Sequence, residues 1–392
     1  MTAVASFAAP HGRRSPRWNT ATIVRNLARL ATVLGLATAA LAGPAVALAA
    51  PRAEPIAEGL AHPWGLAFLP DGRFLVTERP GRMRIVQPDG AVGPALAGVP
   101  AVVARGQGGL LDVALDSGFA ANRTLYFCYS EAGEGGNGTA LARARLAADH
   151  SRLDDVRVIF RGRPKVESSL HFGCRIVEAP DGHLFLTLGE RYQRMQDAQT
   201  LDNHHGKVVR IGKDGTVPRD NPFVARAGAL PEIWSLGHRN PQGATWGPDG
   251  RLWTHEHGPQ GGDEVNRPEP GRNYGWPLIT HGENYGGGPI GDGQSARAGL
   301  EAPLHHWVPS IAPSGMAFLA SDRYGPALRG SLLVGSLKFG ALVRLEVQGD
   351  RVLREERWLS GLGRVRDVRV GPDGLVYLLT DSPQGRLLRI RP

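Results

Sequence analysis

The fold this sequence predicts is an all-β, six-bladed β-propeller, and three observations predict it. One strand-turn-strand phrase returns through the chain, glycine is abundant at 53 residues while helical periodicity is scarce, and no linker-like stretch divides the chain. The phrase reads GLAFLPDGRFLVTER (65–79), RIVEAPDGHLFLTLGER (175–191), GATWGPDGRLWTHEHG (243–258) and VRDVRVGPDGLVYLLTDS (365–382). Each copy is a short apolar strand, a tight turn and a second alternating strand that ends in or near Thr. Asp-Gly supplies the residues that tolerate positive φ in such a turn. Two degenerate copies fill the gaps, GLLDVALDSGFAANRTLYFCYSE (109–131) and GMAFLASDRYGPALRGSLLVGSL (315–337). A β-sandwich or a pair of barrels also has many short strands, but neither predicts one phrase recurring throughout.

The first 49 residues read as a signal peptide, with residues 50–392 as the propeller domain. Arg13, Arg14, Arg17, Arg25 and Arg29 precede an uncharged Ala- and Leu-rich run from Leu30 to Ala50, which closes on the small-x-small pattern Ala47-Leu48-Ala49. A membrane anchor is the competing reading, since about 20 apolar residues span a bilayer. Gly43-Pro44 and the many alanines suit a cleaved leader better. No later segment is long and apolar enough to cross a membrane, so an exported protein, periplasmic or secreted, is expected. With the 5 leader arginines removed, the net charge falls from +8 to +3, and nucleic-acid binding is not predicted. Cys128 and Cys174 either pair in an oxidising compartment or remain as two buried thiols.

Residues 236–277 concentrate the chemistry: His238, Arg239, Asn240, His255, Glu256, His257, Asp263 and Glu264 among glycines. A solvated loop is the bland alternative. The polar clusters flank ATWGPDGRLWT, so they are expected together at the open end of one hairpin, facing a shared pocket. His204-His205 and His255-x-His257 invite a zinc reading, but no acid or cysteine at a recognised spacing completes either set.

The phrases GQGGLLDVAL, HFGCRI, LGHRNPQG, HGPQGGDE, WVPSIAPSG, SLKFG and RVRDV appear in that order. Together they resemble the soluble quinoprotein glucose and aldose sugar dehydrogenases, six-bladed propellers that use pyrroloquinoline quinone (PQQ) and Ca²⁺. The resemblance implies that His171 is the general base taking a proton from the sugar's C1 hydroxyl, as suits an imidazole with a pKa near ~6.5. It implies that Glu190, where better-known members have Asp, holds the other ring nitrogen. By the same resemblance Arg239 and Asn240 lie beside the reacting quinone carbonyl, and Gln107 gives an amide contact. Lys338, Arg364 and Arg366 are the cations expected for the cofactor's carboxylates, with alternation placing Arg364 and Arg366 on one face of a strand. Trp307 is expected to pack on the cofactor ring and Ser310 to hydrogen-bond it. The carbonyls of Gly258 and Pro259 match a catalytic calcium site, and Asp263, Glu264 and the Tyr274 carbonyl match part of a second.

These expectations describe an exported oxidoreductase, monomer or homodimer, that converts an aldose sugar to its lactone and passes electrons to an external acceptor. Leu170 and Phe172 flank His171 where glucose-specific members are polar, which predicts broad sugar specificity. A propeller lactonase using a divalent ion and channel carboxylates is one alternative, and a non-enzymatic ligand-binding propeller is another.

Overall fold

The computed structural model describes residues 51–392. The expected signal peptide, residues 1–49, lies outside the described residues.

The first strand, β1 (Arg52–Leu60), waits for the end of the chain, and six hairpin-linked groups follow it. Blade one is β2 (Pro63–Phe68), β3 (Phe74–Glu78), β4 (Arg82–Val86) and β5 (Val92–Ala95). Blade two is β6 (Leu110–Leu115), β7 (Thr124–Gly133), β8 (Gly136–Leu146) and β9 (Leu153–Arg161), and a single helical turn, α1 (Phe119–Asn122), replaces its tight turn. Blade three is β10 (Ile176–Glu178), β11 (Leu184–Leu188), β12 (Lys207–Ile211) and β13 (Ile233–Leu236). Blade four is β14 (Pro241–Trp246), β15 (Leu252–Glu256), β16 (Asp263–Asn266) and β17 (His305–Trp307). Blade five is β18 (Pro313–Phe318), β19 (Leu332–Ser336), β20 (Ala341–Gln348) and β21 (Arg351–Leu359). Blade six is β22 (Val365–Val370), β23 (Val376–Thr380) and β24 (Gly385–Arg391), completed by β1 as its outermost strand. The innermost strands of neighbouring blades touch all the way round, β2 meeting β22, so the six antiparallel sheets form a closed ring.

The Pro-Asp-Gly phrases make the inner hairpins for a local reason. Gly72, Gly182, Gly250 and Gly374 take φ between 74° and 85°. The carboxylates of Asp71, Asp181, Asp249 and Asp373 each accept the backbone N–H two residues on, which closes the turn. Apolar side chains from each hairpin then fill the gaps between blades. Leu66, Val76, Leu333, Val368 and Leu378 belong to one such buried cluster, and each fully buried aliphatic side chain contributes about 1.5–3 kcal/mol.

The central axis is packed with charge. Arg175 reaches Asp112 at 3.1 Å and Asp367 at 2.9 Å, and Arg369 reaches the same two acids at 2.7 and 3.0 Å. All four lie on or beside inner strands, so these pairs tie blades two, three and six across the middle. Where blades five and six press closest, Gly315 is required, since a Cβ there would lie 2.3 Å from the Val368 nitrogen. Cys128 on β7 and Cys174 ahead of β10 form a buried disulfide with Cα atoms 5.8 Å apart, which joins blades two and three.

Candidate active site

The inner hairpins place their turns at one end of the ring and the loops entering each inner strand at the other. His171 is in the loop entering β10. It is buried with φ +49°, a left-handed backbone unusual for a side-chain-bearing residue. Its N–H donates to Gln107 Oε1 at 2.9 Å. Its Nδ1 lies 2.5 Å from Glu190 Oε2, which also accepts the Tyr192 N–H at 2.9 Å. A carboxylate at Nδ1 puts the proton of the neutral ring there and leaves Nε2 as a free base. Burial pulls the His171 pKa below the usual imidazole value; Glu190 opposes this, and the charges of Arg239 and Arg191 add to it.

Arg239 and Asn240 enter β14 beside this pair. The Arg239 carbonyl accepts the Glu190 N–H at 2.9 Å, and Asn240 Oδ1 accepts the Gly173 N–H at 3.2 Å. Arg239 Nη1 donates to the carbonyls of His257 at 3.0 Å and Gly258 at 2.6 Å, and the guanidinium lies 5.1 Å from the centre of the Trp276 ring. Two donors are buried without partners, Arg239 Nε and Asn240 Nδ2. A cavity of about 270 Å³ opens here, with walls that include Glu190, Tyr192, Arg239, Pro259, Trp276 and Tyr285. The structure therefore brings His171, Glu190, Gln107, Arg239, Asn240, Gly258 and Pro259 into one neighbourhood.

The cations form a second group. Arg364 and Arg366 both turn toward Asp381, at 3.8 and 2.9 Å. Arg366 is buried and also donates to Gln242 Oε1 at 2.7 Å, whereas Arg364 is more than half exposed and Lys338 is exposed. Arg364 Nη1 approaches the carbonyl of Leu337, next to Lys338, at 3.4 Å. Asp381 and Gln242 were not singled out from the sequence.

Five other residues have contacts the sequence did not foretell. The Trp307 ring packs in the apolar cluster of Trp253, Ile311 and Val334. Ser310 donates to Asp263 Oδ2 at 2.6 Å. Asp263 is spent as a clamp, accepting the N–H groups of Gly258, Ile311 and Ala312 as well. Glu264, next along β16, points to the opposite face, as alternation requires, so the two carboxylates do not converge. Glu264 instead shares a small cavity with Glu256 and Tyr274, where burial and then the Glu256 charge push its pKa up to about 8. Phe172 is also buried, with the Arg191 guanidinium 3.7 Å above its ring, so it does not line the pocket and the specificity argument loses that residue.

The histidine pairs behave as packed side chains. His257 Nε2 meets the Pro313 carbonyl at 2.5 Å, His205 Nδ1 meets Asp197 at 2.8 Å, and burial pulls the His255 pKa down to about 3. Tyr192, Trp276 and Tyr285, which wall the cavity, were missed because a lone aromatic in a loop carries no period.

Known proteins resemble this chain in sequence and fold. The glucose/sorbosone dehydrogenase family matches residues 60–389. Aldose sugar dehydrogenase YliI of Escherichia coli K12 is 45% identical over 368 residues, covering 93% of this chain and 98% of its own length. A glucose dehydrogenase of known crystal structure is 50% identical with a TM-score of 0.83, covering 86% of this chain and 99% of its own. The PQQ-bound aldose sugar dehydrogenase of Streptomyces coelicolor is 29% identical with a TM-score of 0.71, covering 87% and 98%. On these grounds this chain belongs to the glucose/sorbosone dehydrogenase family.

Proposed function

We propose that this protein is an exported oxidoreductase that oxidises aldose sugars at C1 to lactones with PQQ and Ca²⁺ and passes the electrons to an external acceptor. The observation that carries the proposal is the buried His171–Glu190 pair at 2.5 Å, whose Glu190 lines an aromatic-walled cavity together with Arg239. The residues present fit a polycarboxylate quinone. Arg239 Nε, Asn240 Nδ2 and Arg366 Nε are buried donors without partners, and Lys338 and Arg364 are exposed cations. Bound quinone supplies hydride acceptance from the sugar's C1.

The chain's own part is proton and charge management. His171 Nε2 takes the proton of the C1 hydroxyl, and Glu190 steadies the imidazolium that results. The Arg239 guanidinium would stabilise the negative charge that the acceptor gains with the hydride. By the resemblance, calcium would take the main-chain oxygens of Gly258 and Pro259, which requires Arg239 Nη1 to leave the Gly258 carbonyl it now meets at 2.6 Å. A second cation would rest on Glu264 and Tyr274, without Asp263. Tyr192, Trp276 and Tyr285 offer flat faces that stack on a sugar without counting its hydroxyls, which supports broad specificity. The disulfide, with the Arg-led apolar leader, supports export. A lactonase would need channel carboxylates for its metal, and the channel acids Asp112 and Asp367 are already held by Arg175 and Arg369.

The test is oxidation of an aldose panel with a dye acceptor, before and after adding PQQ and Ca²⁺. Activity should need both and fall about 10²–10⁴-fold in His171→Ala while quinone still binds. Glucose, galactose, arabinose and maltose should give comparable kcat/KM, and a glucose preference of about 10⁴ would sink the broad-specificity part. No activity and no quinone binding would sink the whole proposal.

A further inference from the structure

The left-handed backbone of His171 has to be held by its surroundings, because an L-residue with that φ relaxes elsewhere unless neighbours forbid it. Gln107 holds its N–H and Glu190 holds its ring. Neither grips the loop on both sides of the histidine.

Arg191 does. Its Nη2 donates to the Ser168 carbonyl at 2.6 Å and to Asn137 Oδ1 at 2.7 Å. Its guanidinium covers the Phe172 ring at 3.7 Å. Ser168 Oγ answers by donating to the Arg191 carbonyl at 2.9 Å and accepting the Leu170 N–H at 3.2 Å. The grip thus falls three residues before His171 and one after it. The placement is costly, since the residue is 2% exposed and Nε and Nη1 have no partner. Arg191 and Tyr192 also take left-handed backbones, with φ of 67° and 68°. A buried guanidinium whose Nη2 is held by a carbonyl and an amide and whose plane lies over an aromatic face suits a rigid brace, because its planar fork is pre-organised.

We infer that Arg191 is a positioning residue for the reaction: Glu190 sets the ring of the base, and Arg191 sets the backbone that carries it. The inference rests on His171 being the base.

The experiment compares holoenzyme with Arg191→Met by steady-state kinetics, quinone titration and amide hydrogen exchange. A brace predicts kcat lowered about 10- to 100-fold, with KM and quinone Kd within about twofold of wild type. Exchange should speed up in residues 168–173 and stay unchanged in the other blades. The inference is overturned if kcat stays within about twofold of wild type. It is equally overturned if quinone affinity falls in step with kcat, or if exchange rises in every blade, since either result makes Arg191 a general packing residue. Should Arg191→Met fail to fold, Ser168→Ala removes only the reciprocal hydroxyl bonds. That variant should lower kcat and loosen the same segment, and unchanged kcat and exchange would overturn the brace. Should wild type show no quinone-dependent oxidation, the base assignment falls separately. Exchange then decides alone: local loosening sustains the brace, and unchanged exchange overturns it.

Discussion

In His171, burial and a partner acid pull one imidazole in opposite directions. Desolvation disfavours the charged ring and Glu190 favours it, with desolvation the larger. The balance keeps the ring neutral below the ordinary imidazole range, so, with His171 as the proposed base, the acid limb of kcat/KM should fall below pH ~6.5. A pH profile with that limb above ~7 would contradict the assignment. That His171, Glu190, Arg239 and Asn240 lie together was legible in the sequence, because their motifs are distinctive and near in the chain to the repeats that place them. Phe172 was misjudged for the opposite reason. Side chains in an irregular loop follow no period, so the direction of a neighbour is not readable from the chain alone.

The Pro-Asp-Gly hairpin was legible because its turn, its glycine and its Asp contacts are all local. What joins one hairpin to the next was not. Most inner strands carry an irregular register near their start, as between Pro63 and Leu66 or between Pro241 and Gly243. A threonine of the phrase can bridge the entry of an inner strand to the next blade. Thr187 Oγ1 accepts the Arg175 N–H at 3.0 Å and donates at 2.8 Å to the Pro241 carbonyl of the next blade. Thr187→Val, nearly isosteric, would strand both backbone groups and should cost about 1–3 kcal/mol in urea unfolding. A change below about 0.5 kcal/mol would show that the hydroxyl is not needed. One further signal stood in the repeats unread, an acid at the end of the second strand in all four clear copies. Glu78 accepts the Ala61 N–H, Glu190 holds His171, Glu256 accepts from His238 and the Arg239 N–H, and Asp381 holds His62 and Arg366. Each acid fastens a loop entering an inner strand, and in blade three that fastening became the catalytic pair proposed above.

At the scale of the whole molecule, blade number was legible and ring closure was not, because RAEPIAEGL carries no trace of the phrase. The disulfide was also undecided, since only the fold brings Cys128 beside Cys174. Replacing both by serine should cost about 2–4 kcal/mol, read as a lower midpoint in urea, and an unchanged midpoint would show the bridge is dispensable. Closure by β1 has a directional result. Arg52 pairs with Arg391, and Ile390 lies beside Val376, just past the Pro-Asp-Gly turn of blade six. Both ends of the described chain therefore emerge on the turn side, opposite the loops that carry His171. A surface tether or a fused carrier attached at the C-terminus would hold the protein by its back, with the loops that carry His171 turned outward.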